Sequence, residues 1–177
     1  IKQLGVLRKY VGINVSYGVD GCISLSQGPY AESILKRFKM HESKPAPTPS
    51  VPGATLTTQP TDGQTKDSEQ LPYRSAVGSL WYASRGTRPD IDYATNTAAQ
   101  YCKNFGQAHW QAVKRIFRYL RSNANGKITY FNTKVVEIVA FTDSDWGSDE
   151  NHRRSKTGYI IYVAGAGCSY VAIQSPK

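Results

Sequence analysis

Residues Leu71 to Leu120 carry the strongest folding signal in the chain, because their apolar side chains recur every three or four positions. This spacing places apolar residues on one face of a helix, and turn residues interrupt it twice. The stretch therefore predicts three helices joined by turns, around which the rest of the chain is organised. In the second predicted helix the apolar stripe is Ile91, Ala94, Ala98, Cys102 and Phe105.

Both ends of this second helix have recognisable signals. Thr87 precedes Asp90 by three residues, the spacing at which a side-chain oxygen accepts hydrogen bonds from the free amides of a first turn. Pro89 lies in that turn, where its missing N–H costs no hydrogen bond. Asn104 and Gly106 are typical of a helix end. We expect the helix to begin after Thr87 and to close at these two residues.

The third predicted helix is apolar on one side and cationic on another. Its inward stripe consists of Trp110, Val113, Phe117 and Leu120. Its cationic arc consists of Lys114, Arg115, Arg118 and Arg121. From Tyr93 to Val136 there are seven Lys or Arg and no Asp or Glu. Such a run of one sign indicates a polyanion-binding surface, although basic residues on an exposed helix are commonly just solvated.

The composition narrows the class of protein. With 177 residues and 40% hydrophobic content, the chain can build one substantial core or two small ones, and the different patterns at its ends favour two. A formal charge of +9 favours an acidic partner such as nucleic acid. No apolar run approaches the ~20 residues of a membrane-spanning helix. The three cysteines and three histidines are scattered, which favours reduced intracellular thiols over disulfides or a zinc site.

Two strands are predicted ahead of the helical block. Tyr10 to Tyr17 and Gly21 to Gln27 alternate apolar and polar side chains, and Gly18 to Gly21 supplies a turn between them. Gly12 lies inside the first predicted strand, where it indicates a bulge or a close approach by another backbone. A short helix follows from Pro29, with an apolar stripe at Tyr30, Ile34, Leu35 and Phe38.

Residues 44–65 hold five of the nine prolines and few apolar anchors. Successive X-Pro pairs favour extended backbone, so we interpret this segment as a linker lying over the surface. A peptide-docking motif is the alternative.

After Arg121 the pattern changes from helical to alternating. A short strand is predicted at Lys127 to Phe131, and an antiparallel meander of three strands at Val136 to Thr142, Thr157 to Val163 and Cys168 to Ile173. The predicted fold class is α+β, with four regions: a hairpin and helix at 1–43, a Pro-rich linker at 44–66, a helical block at 67–126 and a final β region at 127–177.

An acidic group follows the first strand of this meander. It consists of Asp143, Asp145, Asp149 and Glu150. A calcium loop would require different residues at the places of Gly147 and Ser148. A solvated acidic turn is a second interpretation. The third is that the strand aims Asp143 at a divalent metal ion, with further ligands from elsewhere.

Five segments in collinear order carry a family resemblance over nearly the whole chain. They are YVGINVSYGVDGCISLSQGPYAESILKRF, KPAPTPS, YRSAVGSLWYASRGTRPDIDYA, HWQAVKRIFRYL and FTDSDWGSDENHRRSKTGYIIYVAG. Together they resemble the Pol polyprotein of copia-type LTR retrotransposons, at the end of the reverse transcriptase and the start of the ribonuclease H domain.

The resemblance implies roles for individual residues. Tyr10 and Gly12 fall in the hairpin that resembles the primer grip, which would hold the 3′ end of the primer. The helical block resembles thumb and connection, so Arg88 and the cationic arc would contact phosphates of the template-primer. Asp143 matches the first metal-binding and catalytic Asp of an incomplete ribonuclease H-like domain.

The chain also departs from the family pattern. The family's paired polymerase Asp residues lie upstream, and the Glu and two Asp that complete the ribonuclease H site lie beyond Lys177. Ile173 stands where the family has Trp, and Pro176 intervenes before Lys177.

The resemblance implies a fragment that binds RNA:DNA or DNA duplex. Its partners would be nucleic acid and the remainder of the Pol polyprotein, with no membrane, in a cytoplasmic particle or the nucleus. Mg²⁺ would bind in the complete enzyme and only weakly to this fragment, which would be inactive alone. The alternatives are a non-catalytic nucleic-acid-binding remnant and a decayed retroelement product.

Overall fold

A computed structural model describes residues 5–57, 71–144 and 155–174. Within these ranges the chain forms four α-helices and two antiparallel sheets, which confirms the α+β class. No helix in the described ranges is both long and apolar enough to cross a membrane.

The first sheet has four strands in the order β1-β2-β3-β4. They are β1 (Lys9–Tyr10), β2 (Ile13–Tyr17), β3 (Ile23–Ser26) and β4 (Lys127–Tyr130). The hairpin predicted around Gly18 to Gly21 is confirmed, because β2 and β3 pair with Val15 opposite Leu25. The continuous strand predicted from Tyr10 is wrong, since Val11 and Gly12 have positive φ values of 45° and 76° and turn the chain back on itself.

Two features favour glycine at position 12: the positive φ of this turn and the close approach of a neighbouring side chain. The Tyr82 hydroxyl donates a hydrogen bond to the carbonyl oxygen of Val11. A Cβ atom at Gly12 would lie 2.6 Å from the Tyr82 oxygen. The close approach that the sequence indicated is therefore present, but it is made by a tyrosine side chain of the helical block.

The helices are α1 (Gly28–Arg37), α2 (Tyr73–Gly86), α3 (Asp92–Ala99) and α4 (Gln107–Ser122). The second predicted helix is shorter than expected, because a 3₁₀ turn (Pro89–Ile91) precedes α3 and irregular turns follow Ala99. Thr87 does not cap it. Its buried hydroxyl donates to Gln27 Oε1 at 3.1 Å, and Gln27 directly follows β3. This hydrogen bond takes the place of the predicted capping interaction.

Helices α1 to α4 share one hydrophobic core. Phe38, just after α1, lies 5.0 Å from Phe117 of α4, ring centroid to ring centroid. Tyr73 of α2 stacks on Phe105 at 4.4 Å. Residues before and after the Pro-rich segment therefore pack together. In the described residues, α1 buries its apolar stripe against the helical block.

The second sheet consists of β5 (Ile138–Ser144), β6 (Ser155–Val163) and β7 (Ala166–Gln174) in that order. Phe141 pairs with Ile160, and Ile160 pairs with Ser169, as expected for an antiparallel meander. Strand β4 belongs to the other sheet, where Ile128 pairs with Leu25. The predicted boundary before residue 127 thus precedes a strand that is hydrogen-bonded to the N-terminal hairpin.

Candidate nucleic-acid interface

Three of the four residues of the cationic arc hold the Pro-rich segment against α4. Arg118 Nε donates to the Lys44 carbonyl oxygen at 2.6 Å, and Arg121 donates to the Ser43 carbonyl oxygen. Arg115 Nη2 donates to Thr48 Oγ1 at 2.8 Å. We call residues 43–56 the strap. Proline-rich backbone has few internal partners for its carbonyl groups, and Arg118 and Arg121 supply donors to two carbonyl groups at the start of the strap.

The strap is fixed along its length. Ala46 is only 2% exposed, and its N–H donates to the Arg118 carbonyl oxygen at 3.3 Å. At the other end, the Tyr101 hydroxyl donates to the Leu56 carbonyl oxygen. The sequence could not show this arrangement, because the arginines and their acceptors are 67 to 78 positions apart.

Lys114 is the exception in the arc. It is partly exposed and makes no hydrogen bond or ion pair with the described residues. Lysine is a flexible point charge that contacts phosphate without a fixed geometry. Of the four arc residues, Lys114 is thus the one most open to a polyanion in this conformation.

Arg88 lies inside the molecule, with its residue 3% exposed. Its guanidinium donates to Asp90 Oδ2 at 2.7 Å and to the Asn123 carbonyl oxygen at 2.6 Å, and it lies 5.7 Å from the Tyr119 ring centroid. Burial raises the pKa of Asp90, but the hydrogen bonds and charge of Arg88 outweigh it and hold that pKa below its ordinary value. These contacts leave Arg88 a structural role in the described conformation.

The first sheet presents two further cations, Lys9 and Lys127, of which only Lys127 belongs to the acid-free run from Tyr93 to Val136. Lys9 is opposite Asn14, Asn14 is opposite Ser26, and Ser26 is opposite Lys127. Directly paired residues lie on the same face of a sheet, so Lys9 and Lys127 share one face, and both are exposed. Only the pairing of β3 with β4 brings them together. The one signal in the sequence for this basic face was that these strands contain no Asp or Glu.

The hairpin residues assigned by resemblance lie at the surface. Tyr10 is 67% exposed and follows Lys9 at the end of β1. Gly12 forms the turn to β2. Tyr10 therefore extends an accessible aromatic ring, a type of side chain on which nucleic-acid bases stack.

Asp143 is exposed near the end of β5, opposite Gly158 of β6. It lines an open cavity of about 330 Å³ with Phe141 and with Tyr93 of α3. The described residues contain no group of three or more His, Cys, Asp or Glu that could hold a metal ion. One carboxylate does not make a Mg²⁺ site. Asp145, Asp149 and Glu150, and with them the calcium-loop and acidic-turn interpretations, lie outside the described residues.

The fold and surface define an α+β protein with exposed cations on one sheet, an accessible strand carboxylate on the other, and four helices inserted in the chain between β3 and β4. The chain is 35% identical to the retrovirus-related Pol polyprotein from transposon TNT 1-94 of Nicotiana tabacum, over 96% of this chain and 13% of that protein. It is 35% identical to the Pol polyprotein from transposon RE1 of Arabidopsis thaliana, over 92% of this chain and 11% of that protein.

A shorter relative, an uncharacterized mitochondrial protein of Arabidopsis thaliana, is 33% identical over 97% of this chain and 68% of its own length. The chain belongs to the family of retrovirus-related Pol polyproteins from copia-type transposons. It spans about an eighth of the length of the two Pol polyproteins. No protein-family model and no solved structure matches it.

Proposed function

We propose that this chain is the part of a retrotransposon Pol polyprotein that joins the end of a reverse transcriptase to the start of a ribonuclease H domain, and that it binds RNA:DNA or DNA duplex. The observation that carries the proposal is the match over 96% of the chain to the TNT 1-94 polyprotein. The exposed cations and the order of the elements support it.

In this proposal the two sheets have different tasks. The β1–β2 turn, with Tyr10 exposed beside it, holds the primer end in the manner of a primer grip. Strands β5 to β7 are the first three strands of a ribonuclease H-like domain, with Asp143 near the end of the first. An antiparallel meander with a carboxylate on its first strand is compatible with that assignment.

In this proposal the phosphate contacts come mainly from lysines whose side chains are exposed or partly exposed. Lys9 and Lys127 lie three strand spacings apart on one sheet face, about 14 Å at ~4.8 Å per spacing. Lys114 adds a third charge from α4. The arginines of the cationic arc contribute only where the strap leaves a donor free, because Arg118 and Arg121 already bind backbone oxygens.

The chemistry of the complete enzyme would need ligands beyond the described residues. Asp143 would supply one Mg²⁺ ligand in a site completed by the rest of the Pol polyprotein, in a cytoplasmic particle or the nucleus. The described residues supply one carboxylate at this position, which is too few ligands to hold the ion. We expect the isolated chain to neither polymerise nor cleave.

Duplex binding is tested by fluorescence anisotropy of a labelled RNA:DNA hybrid over a range of salt concentrations. Each phosphate contact steepens the fall of log affinity with log salt by about 0.9. Replacing Lys9 and Lys127 by Gln should therefore reduce the slope by about 1.8. The matched control replaces Lys36 and Lys39 by Gln. These two exposed lysines lie in the last turn of α1 and just after it, and their replacement should leave the slope nearly unchanged. Equal reductions in both variants would show a nonspecific effect of net charge.

A second candidate function is a self-standing, non-catalytic nucleic-acid-binding protein. The observation that favours it is the short mitochondrial relative, of whose length the chain covers 68%, against 13% of the TNT 1-94 polyprotein. Both candidates expect the isolated chain to be inactive, and incubation of an RNA:DNA hybrid with the chain and Mg²⁺ tests that shared expectation. Cleavage that is lost in Asp143→Asn would place catalysis in this chain and contradict both.

A further inference from the structure

A cavity of about 450 Å³ lies between the strap and the helices α3 and α4. Strap residues 49–56 form one wall, and Tyr93, Ala94 and Ile116 contribute to the other. Its size falls within the range of small-molecule sites, which are concave, mostly apolar and supplied with a few polar groups. No task in the proposed duplex binding uses it.

The strap wall is held in a defined shape. Thr48 Oγ1 donates to the Ser50 carbonyl oxygen at 2.7 Å. The Ala54 N–H donates to the Val51 carbonyl oxygen at 3.2 Å, which closes a turn in which Gly53 has a φ of +73°. Because a proline precedes this glycine, the turn is restricted before any ligand arrives. A preformed wall reduces the entropy lost on binding.

Arg115 supplies the charge of the cavity. Among the described residues that line it there is no Asp or Glu, and Arg115 is the one Lys or Arg. Its Nη2 donates to Thr48 Oγ1, while its Nε is buried and has no hydrogen-bond partner among the residues that the structure describes. A buried donor without an acceptor is unfavourable, and a guanidinium edge fits the oxygens of a phosphate group.

We propose that this cavity binds a single nucleotide, with the phosphate at Arg115 and the base between the strap and α3. An aromatic base suits the lining because Tyr93, Pro49 and Pro52 are among its residues, and aromatic and proline rings pack against a planar base. An anion suits it because the described lining residues carry one positive group and no carboxylate. The nucleotide is either free or the 5′-phosphorylated end of a single strand.

The site does not depend on the proposed duplex binding. The main duplex contacts were assigned to Lys9, Lys114 and Lys127, none of which lines the cavity, and the duplex test varies only Lys9 and Lys127. Failure of one proposal therefore leaves the other intact.

The test is a titration of the ¹⁵N-labelled chain with adenosine monophosphate, observed by NMR at the backbone amides of Gly53 and Ala54. Adenosine and inorganic phosphate are titrated separately, since each carries half of the expected recognition. The nucleotide should shift both amides and bind at least tenfold more tightly than either half. A 5′-phosphorylated trinucleotide that binds more tightly still would identify a strand end, and equal or weaker binding would identify a free nucleotide; both support the site.

Two variants and one control locate the site. Arg115→Gln removes the donor, and Ala112→Phe fills the cavity without changing its charge; both should weaken nucleotide binding at least tenfold. Lys103→Gln removes a positive charge from an exposed residue that does not line the cavity, and this variant should bind as the unaltered chain does. The proposal is overturned if the nucleotide shifts neither amide at millimolar concentration, if phosphate alone binds as well, or if Ala112→Phe retains full affinity.

Discussion

The Arg88 guanidinium donates a 2.6 Å hydrogen bond to the carbonyl oxygen of Asn123, which joins the turn before α3 to the residue that ends α4. The same side chain pairs with Asp90 at 2.7 Å and is 4% exposed, while Asp90 is 35% exposed. A Cβ at Gly126 would lie 3.1 Å from Arg88 Nε, so the turn leading to β4 closes tightly over the guanidinium. Arg88 thereby connects three elements.

Replacing Arg88 by Ala should lower the free energy of unfolding by about 2–4 kcal/mol. The Asn123 carbonyl oxygen loses the donor on Arg88, and the Asp90 carboxylate loses its positively charged partner. Urea denaturation measures this change. Arg74→Ala is the control, because Arg74 donates one bond to the Cys102 carbonyl oxygen from an exposed position and should cost less than about 1 kcal/mol. Equal effects would contradict the structural role of Arg88.

His109 predicts a pH dependence of stability. It is fully buried, and its Nδ1 accepts a hydrogen bond from the Gly106 N–H at 3.0 Å at the start of α4. Burial lowers the pKa of His109 below its ordinary value near 6.5. The unfolded chain then binds more protons than the folded chain below about pH 6.5, so stability should fall as pH decreases from 7 towards 5.

Thermal or urea unfolding at several pH values between 7 and 5 measures this dependence. His109→Gln keeps an acceptor for the Gly106 amide but does not titrate, so the slope in this window should be largely lost. The exposed His41 is the matched control, and His41→Gln should leave the slope unchanged. A slope that survives in His109→Gln would assign the titration to another group.

Gly12→Ala should destabilise the protein for two separable reasons, a positive φ of 76° and a contact of 2.6 Å with the Tyr82 oxygen. Gly53→Ala is the control, because Gly53 has a φ of +73° and open space around its Cβ position. We expect about 1 kcal/mol for Gly53→Ala and about 2–3 kcal/mol for Gly12→Ala. In a Tyr82→Phe background the two costs should become similar, and a persistent difference would contradict the contact.

The strap predicts a local change in hydrogen exchange. In an Arg118→Gln, Arg121→Gln variant, two bonds to the Ser43 and Lys44 carbonyl groups are lost, so the Ala46 amide should exchange about five- to tenfold faster. Replacing Lys103 and Lys114 by Gln removes the same charge without a described strap contact and should leave the exchange unchanged. Similar rates in the two variants would mean that the arginines do not hold the strap.

Patterns local in the chain predicted much of the fold. The stripe at Val113, Phe117 and Leu120 is buried on α4, the hairpin turn follows β2, and the strands β5 to β7 form a meander. Each depends on neighbouring residues, whose spacing decides which face is apolar. The boundaries were less predictable, since Thr87 forms a contact with Gln27, 60 positions away, in place of the expected cap.

The candidate interface was harder to predict, because charge in a sequence does not reveal what neutralises it. The four residues of the cationic arc lie on α4, but three of them bind the strap, and Arg88 is enclosed. Conversely, Lys9 and Lys127 are far apart in the chain and share a sheet face only through the β3–β4 pairing.

By itself, the sequence determined the α+β class, the apolar faces of the helices and the family, because periodicity and collinear motifs survive without knowledge of contacts. Only the tertiary structure decided which cations remain accessible to a partner and which bind oxygen atoms of the protein itself. The physical reason is that a guanidinium binds whichever oxygen the fold brings within about 3 Å, and that oxygen belongs to a distant part of the chain.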